Sequence, residues 1–435
     1  MKYLIFFLCF FHYKCFSQNS NIFGFSTANT FTYCDINDTN FINKAVKLQP
    51  KLLRFPGGAV GNFYHFNKEG YGFDFEEIDT YHNGKFPKRA RGLERSRNQN
   101  NHTQDYIEDF IYLAKKCNAK VILVANIFSK NDDILYMIEK IISNDLEVVG
   151  VELGSELSNR SYYQKGYTID NYITSAQYYS KKIKENYPNL KIAVIAAPLG
   201  KKKGHRHNIW NEKLSRLDFY DAIIIHSYAK VIKGEAMDGQ MIEEQREATN
   251  KVELFEIYKK RAINYLTVKY PLEIKSYQNI FNKPIWVTEW NLQMSKTTGN
   301  TFLQSLFVAH FVLELLTEKK FQSITLSTYH NLGGRDFSGS IFRQEKNNLF
   351  VQNTYTPLMM IGKLFNANIY KTLKEIKDQL FIYKFYDNED RLLCTYEIDW
   401  ENYSFLFKPV STKQNSEFYF KNDNLHDNSF INFSN

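Results

Sequence analysis

A chain of 435 residues, 43% of them hydrophobic, is long enough for a large core and too apolar to be disordered throughout. Its formal charge of +8 is a modest excess, which by itself points to no nucleic-acid partner. Five cysteines, at positions 9, 15, 34, 117 and 394, give neither a disulfide framework nor metal-ligand spacing. Apart from His205 and His207 the ten histidines are scattered, so no metal and no other cofactor is expected.

The first segment, residues 1–17, reads as an export signal: Lys2, an apolar run from Leu4 to Phe11, then Cys15-Phe16-Ser17 before Gln18. The run is short for a bilayer span and is followed by His12 and Lys14. A mature chain starting near Gln18 is therefore expected, secreted or periplasmic, with no integral membrane segment.

Eight apolar or β-branched segments follow, most of them separated by amphipathic helical stretches. They are NIFGFST from Asn21, KLLRFPGG from Lys51, KVILVANI from Lys120, VVGVELGSE from Val148, KIAVIAAP from Lys191, DAIIIHSY from Asp221, PIWVTEW from Pro284 and SITLSTYH from Ser323. Eight such strands predict an α/β fold, a (β/α)8 TIM barrel over residues 18–365, whose catalytic face lies at the strand C-termini. Several runs are apolar on both faces, as covered parallel strands are, and polar chemistry gathers at their ends: Arg54, Asn126, Glu156, His226, Tyr228, Glu289, Tyr329 and His330.

TYTPLMMIGKLF supplies a closing helix over 357–365. Beyond it, QLFIYKFYD, RLLCTYEID and YSFLFKPV alternate between polar turns, which predicts a small C-terminal antiparallel β domain over 366–435, a structural cap in preference to a carbohydrate-binding module. The 16% aromatic content fits a sugar cleft or a plain composition bias equally well.

Glu156 and Glu289 each close a short hydrophobic run 133 positions apart. At the ends of the fourth and seventh barrel strands they can converge across the mouth. Two carboxyls about 5 Å apart suit retaining glycoside hydrolysis, in which one protonates the leaving oxygen and the other attacks the anomeric carbon.

With these residues in hand, the chain resembles the clan A glycoside hydrolases. Gly154-Ser155-Glu156 matches the clan's Gly-Asn-Glu at two of three positions, and Trp286-Val-Thr-Glu289-Trp290 matches its nucleophile strand. LRFPGG, Leu53 to Gly58, is similar to the second-strand motif of α-L-arabinofuranosidases and related families. The resemblance implies that Glu156 is the acid/base, Glu289 the nucleophile, and Arg54 a guanidinium that keeps Glu289 ionised. It also implies that Tyr228 hydrogen-bonds the nucleophile and that His226 and Trp290 contact substrate. Asn126 is a further candidate contact, or a cap of the following helix. Ser155 stands where these families carry an asparagine that binds the sugar 2-hydroxyl. Either the 2-position of the substrate differs, or the chain is a weakened relative acting as a polysaccharide-binding protein.

Two basic runs, KFPKRARGLERSR (Lys85 to Arg97) and GKKKGHRH (Gly200 to His207), follow the second and fifth strands, on the catalytic face. They point to an anionic glycan, uronic or sulfated, as the polysaccharide or oligosaccharide partner. A neutral arabinoside is the alternative, and solvated lysine-rich loops are the uneventful one. An export signal and a carboxylate pair argue against nucleic acid.

Overall fold

The computed structural model describes residues 19–66, 72–83, 88, 91, 92, 94, 95, 106–129, 131–200, 202, 204–232, 248, 250–293, 295–335, 339–346, 348–410, 418–427 and 431–433. The expected export signal and most of the basic run at 85–97 lie outside them.

Eight parallel strands close into a barrel: β1 (Gly24–Ser26), β2 (Leu52–Phe55), β3 (Lys120–Val124), β4 (Val148–Glu152), β5 (Lys191–Ile195), β6 (Ala222–Ala229), β7 (Ile285–Leu292) and β8 (Ile324–Tyr329), with β8 pairing back onto β1. All eight expected segments supply a strand. Their near-continuous burial reflects helices outside and layered side chains inside. One such layer pairs Trp286 with Gly150: a Cβ on Gly150 would lie 2.4 Å from the Trp286 ring. The glycine makes room for the indole and lets it fill the barrel.

Helices wrap the barrel for local reasons that the sequence carries. Thr39–Leu48 begins at Asp38, whose carboxylate accepts from Asn40 N, buries Phe41, Ile42, Ala45 and Leu48, and ends on Gln49 in the left-handed region. Ile169–Asn186 starts with a capping box between Thr168 and Asn171. The helix Phe302–Thr317 is buried on almost every face, because it is covered by the barrel on one side and by a second sheet on the other. No helix among the described residues is long and apolar enough to cross a membrane.

The closing helix runs Tyr355–Gly362 and tightens into a 3-10 turn, Lys363–Asn366. A five-stranded antiparallel sheet follows: β11 (Lys371–Lys377), β12 (Leu380–Tyr386), β13 (Leu392–Asp399), β14 (Ser404–Pro409) and β15 (Phe418–Lys421). Alternate residues Phe381, Tyr383, Phe385, Tyr396, Ile398, Phe405 and Phe407 are buried. The sheet is fastened to the helix Phe302–Thr317 by polar groups inside the contact. Tyr383 OH donates to Glu314 Oε1 at 2.7 Å, Lys374 pairs with the same carboxylate, and Trp400 Nε1 donates to His310 Nδ1 at 3.0 Å. β9 (Phe342–Glu345) and β10 (Asn348–Val351) form a hairpin after the barrel, to which β16 (Ile431–Phe433) adds a third antiparallel strand.

Candidate active site

At the C-terminal mouth of the barrel, one carboxylate oxygen each of Glu156 and Glu289 and one ring nitrogen of His226 lie within 4.8 Å of one another. The two carboxylates differ in setting. The Glu289 side chain is 7% exposed and that of Glu156 is 37% exposed, so one sits in the floor and the other on a wall open to solvent.

Backbone irregularities aim these groups. A register shift in β7 between Val287 and Trp290 breaks the strict alternation of a strand. Consecutive Thr288 and Glu289 both reach polar partners inside the barrel, while Trp290 turns outward. After β4 the chain turns through Gly154 at φ 84°, and Glu156 itself holds φ 53°, a left-handed conformation uncommon for a glutamate. Asn62 clamps this turn: its Oδ1 accepts from Ser155 N, and its Nδ2 donates to Ser155 O, both at 2.6 Å. Gly57, φ 70°, holds the turn after β2, where a Cβ would meet Ser26 Oγ at 2.8 Å and Arg54 Nη1 at 3.3 Å.

Beneath the carboxylates lies Arg54, 0% exposed. Its Nε and Nη2 donate to the two oxygens of Glu152 at 2.6 and 2.8 Å, and its Nη1 donates to Glu289 Oε1 at 2.8 Å. Tyr228 OH donates to the other oxygen, Glu289 Oε2, at 2.8 Å. Burial would raise the Glu289 carboxyl, but His226, His330, Arg54 and the Tyr228 hydroxyl override it and hold Glu289 well below the usual carboxylate range. Burial, reinforced by Arg54 and His226, pushes His330 down, although Glu289 and Glu156 pull it up. Arg54, whose guanidinium stays charged, is the permanent cation at Glu289.

His226 joins the two halves of the site. Its Nδ1 lies 2.9 Å from Glu156 Oε1 and 3.5 Å from Glu289 Oε2. Its Nε2 lies 3.3 Å from Thr288 Oγ1, whose single proton is donated to Glu152 Oε2 at 3.1 Å. Both ring nitrogens therefore face acceptors, and the network selects the imidazolium. Burial opposes this, yet Glu289 and Glu156 together raise the His226 pKa. Asn159 Nδ2 completes the setting by donating to Glu156 Oε2 at 2.9 Å.

Of the residues singled out in the sequence, Glu156, Glu289, His226 and Tyr228 meet at this mouth. Arg54 and Ser155 do not reach its surface: Ser155 is fully buried, and its hydroxyl lies 3.4 Å from Arg54 Nη2. They brace the carboxylates from behind and are not placed to touch a ligand. The expected contact at Trp290 is corrected, since its ring is buried against Phe311 and Tyr329, with centroids 4.5 and 5.3 Å away, on the outer face of β7. Asn126 is likewise turned away from the glutamates. Its Oδ1 accepts from Phe128 N and Ser129 N, and its Nδ2 donates to Glu77 Oε1 at 2.9 Å, so it closes a turn and does not cap the following helix, which begins at Asp133 with Asp132 as its cap.

Glu152, Thr288, Asn62 and Asn159 were not anticipated. Glu152 carried a signal: an acid inside the run VVGVE can stay buried only if a cation meets it, and Arg54 is the cation in the neighbouring barrel segments. Thr288 was hidden because the register shift at Glu289 is invisible to strand alternation.

Glu156, His226 and Glu289 could each offer one ligand atom to a divalent ion. Arg54 at 2.8 Å from Glu289 and a doubly donating His226 oppose a second positive charge there. What the arrangement can do without one is protonate, attack and deprotonate, with two carboxyls in unlike environments.

Two cavities of about 350 Å³ each open at this mouth and share Glu156, Tyr228 and Lys230. One contains Glu289 and His330. The other lies on the far side of Glu156 and contains Tyr265, Glu273 and Tyr277.

No protein-family model matches the sequence, and no curated protein matches it either. Among solved structures, the fold is similar to a family 51 arabinofuranosidase from Xanthomonas axonopodis pv. citri, with a TM-score of 0.59 at 9% identity, covering 91% of this chain and 83% of that one. A family 51 α-L-arabinofuranosidase from Bifidobacterium longum gives a TM-score of 0.57 at 9% identity, covering 88% and 84%. The thermostable family 51 α-L-arabinofuranosidase from Thermotoga petrophila gives 0.51 at 15% identity, covering 93% and 84%. At these identities the likeness establishes a shared fold.

Proposed function

We propose that this protein is a retaining glycoside hydrolase acting on a polysaccharide or oligosaccharide. The observation that carries the reading is that one carboxylate oxygen of Glu156 and one of Glu289 lie within 4.8 Å of each other, an approach that suits double displacement, whose carboxyls stand about 5–5.5 Å apart, better than inversion, whose carboxyls stand about 6.5–9.5 Å apart. In this reading Glu289, held ionised by Arg54 and Tyr228, attacks the anomeric carbon. The C–O bond to the leaving group breaks as Glu156 gives its proton to the departing oxygen. Glu156, now a carboxylate, takes a proton from water. The hydroxide so formed breaks the ester to Glu289, returning both groups to their starting states. Three carboxylates (Glu152, Glu156, Glu289) face two cations (Arg54, His226) at the site. The proton that this mechanism places on Glu156 neutralises the remaining charge.

A substrate bearing uronic or sulfate groups is the reading favoured by the two basic runs. Lys230 adds to it, exposed at the rim of both cavities and without an ion pair among the described residues. Within the second run Arg206 is otherwise engaged, donating to Ser158 O and lying over the Tyr163 ring, and burial beside Arg206 and His205 lowers the His207 pKa to about 4. A neutral arabinoside is the second reading, supported by the arabinofuranosidase names of the proteins that share the fold. Residues 1–17 support export, to the periplasm or beyond.

A reducing-end release assay on neutral, uronic and sulfated polysaccharides, run beside Glu289→Ala, tests the proposal. Turnover by the parent chain that is lost in the variant supports it. Turnover that survives in Glu289→Ala overturns the role of Glu289, and binding without turnover by the parent chain favours a carbohydrate-binding barrel.

A further inference from the structure

The cavity beyond Glu156 contains a carboxylate that the mechanism does not use. Glu273 lies in the helix Tyr270–Phe281, which continues from Lys251–Asn264 through a π-helical turn, Tyr265–Lys269. Tyr265, from that turn, and Tyr277, one helical turn after Glu273, line the same cavity. Among the described residues Glu273 makes no hydrogen bond and no ion pair. A half-buried carboxylate with empty lone pairs is costly unless donors arrive. Burial accordingly raises its pKa.

The chemistry of the two glutamates gives the cavities different tasks. The nucleophile must lie under the anomeric carbon, and the proton donor must stand between that carbon's sugar and the leaving group. The cavity containing Glu289 then receives the sugar that becomes esterified. The cavity on the other side of Glu156 receives what departs. A third, smaller cavity of about 170 Å³, lined by Tyr163, Arg206 and Ile209, adjoins the second at Ser158 and extends the groove further from Glu289.

We propose that the cavity beyond Glu156 is a leaving-group subsite in which Glu273 is the specificity-determining residue, accepting hydrogen bonds from adjacent hydroxyls of a neutral sugar. This inference rests on the glycosidase reading and narrows it. Glu273 repels a carboxylate or sulfate on the departing residue, and the rings of Tyr265 and Tyr277 line the cavity with aromatic surface suited to an uncharged ring, the Tyr277 hydroxyl itself donating to Ala197 O at 3.1 Å. By exclusion from the Glu273 side, any charge that the substrate carries belongs on the sugar over Glu289; Lys230, at the rim that both cavities share, does not separate them.

The test compares the parent chain with Glu273→Gln on three leaving groups attached to one glycone: 4-nitrophenol, a neutral sugar and a uronic acid. Loss of one charged hydrogen bond predicts a fall in kcat/KM of about 10- to 100-fold on the neutral-sugar substrate. The 4-nitrophenyl substrate should change by less than about threefold, since it offers Glu273 no donor. The preference for neutral over uronic leaving groups should shrink in the variant. An equal effect on all three substrates, or none, overturns the subsite, as does a parent chain that prefers the uronic leaving group. If the parent chain cleaves no glycoside at all, the glycosidase reading itself has failed and the inference falls with it.

Discussion

Arg54 lies beneath Glu289 and donates to it from Nη1 at 2.8 Å, while its other two nitrogens both donate to Glu152. The guanidinium thus fixes one buried carboxylate in order to hold another. Lysine cannot reproduce that fork. Arg54→Lys should lower kcat/KM by about 100-fold or more, and should destabilise the fold by about 3 kcal/mol because it leaves buried Glu152 incompletely paired. Thermal unfolding and steady-state kinetics on one preparation check both. A variant with parent-like kinetics would show that Arg54 serves only the barrel.

His226 carries a pH dependence with a definite sign. Its pKa in the folded chain is raised above 6.5, so the imidazolium is present below pH 6.5 and is lost as pH rises through the folded value. Deprotonation withdraws the cation between Glu156 and Glu289. The parent pH profile of kcat/KM should therefore contain an ionisation above 6.5 that is missing in His226→Gln, with a rate loss of about tenfold or more below it. An unchanged profile would reduce His226 to packing.

A stability effect of the same sign belongs to His65, away from the glutamates. Burial opposes its charge, but Asp133 at 2.9 Å and Glu77 at 3.3 Å raise its pKa to about 9. That contribution is full below pH 6.5 and lost as pH rises through about 9. The Tm of the parent chain should fall across this window more steeply than that of His65→Gln. Parallel curves would contradict the assignment.

Trp290 adjoins the proposed nucleophile in sequence but points away from it. Its Nε1 has no partner among the described residues, so phenylalanine loses area but no hydrogen bond. Trp290→Phe should leave kcat/KM within about threefold and cost about 1–2 kcal/mol by packing loss against Phe311 and Tyr329. A loss of activity with intact stability would return Trp290 to the site.

How much of this was legible follows from where each residue gets its partners. The eight barrel strands announce themselves because parallel strands covered on both faces are apolar throughout, and the chemistry at their ends stands out against that background. β11 does not, because KTLKEIK at a sheet edge is largely lysine and polar. Nor does the hairpin of β9 and β10, whose strands are four residues each. Within the site, Glu156, Glu289, His226 and Tyr228 were readable as strand-end polar residues. Ser155 and Trp290 were misplaced because facing depends on the Asn62 clamp and on the β7 register shift, both of which are tertiary. Arg54 was readable at the end of its strand, but its bond to Glu152 was not, because 98 residues separate the two.

The most direct test of the account is the configuration of the first product. Proton NMR of the anomeric signals, recorded during hydrolysis of a substrate found in the polysaccharide panel and before mutarotation, distinguishes double from single displacement. The first sugar released should keep the anomeric configuration of the substrate. First appearance of the opposite anomer would contradict it, because Glu289 could not then be the group that attacks.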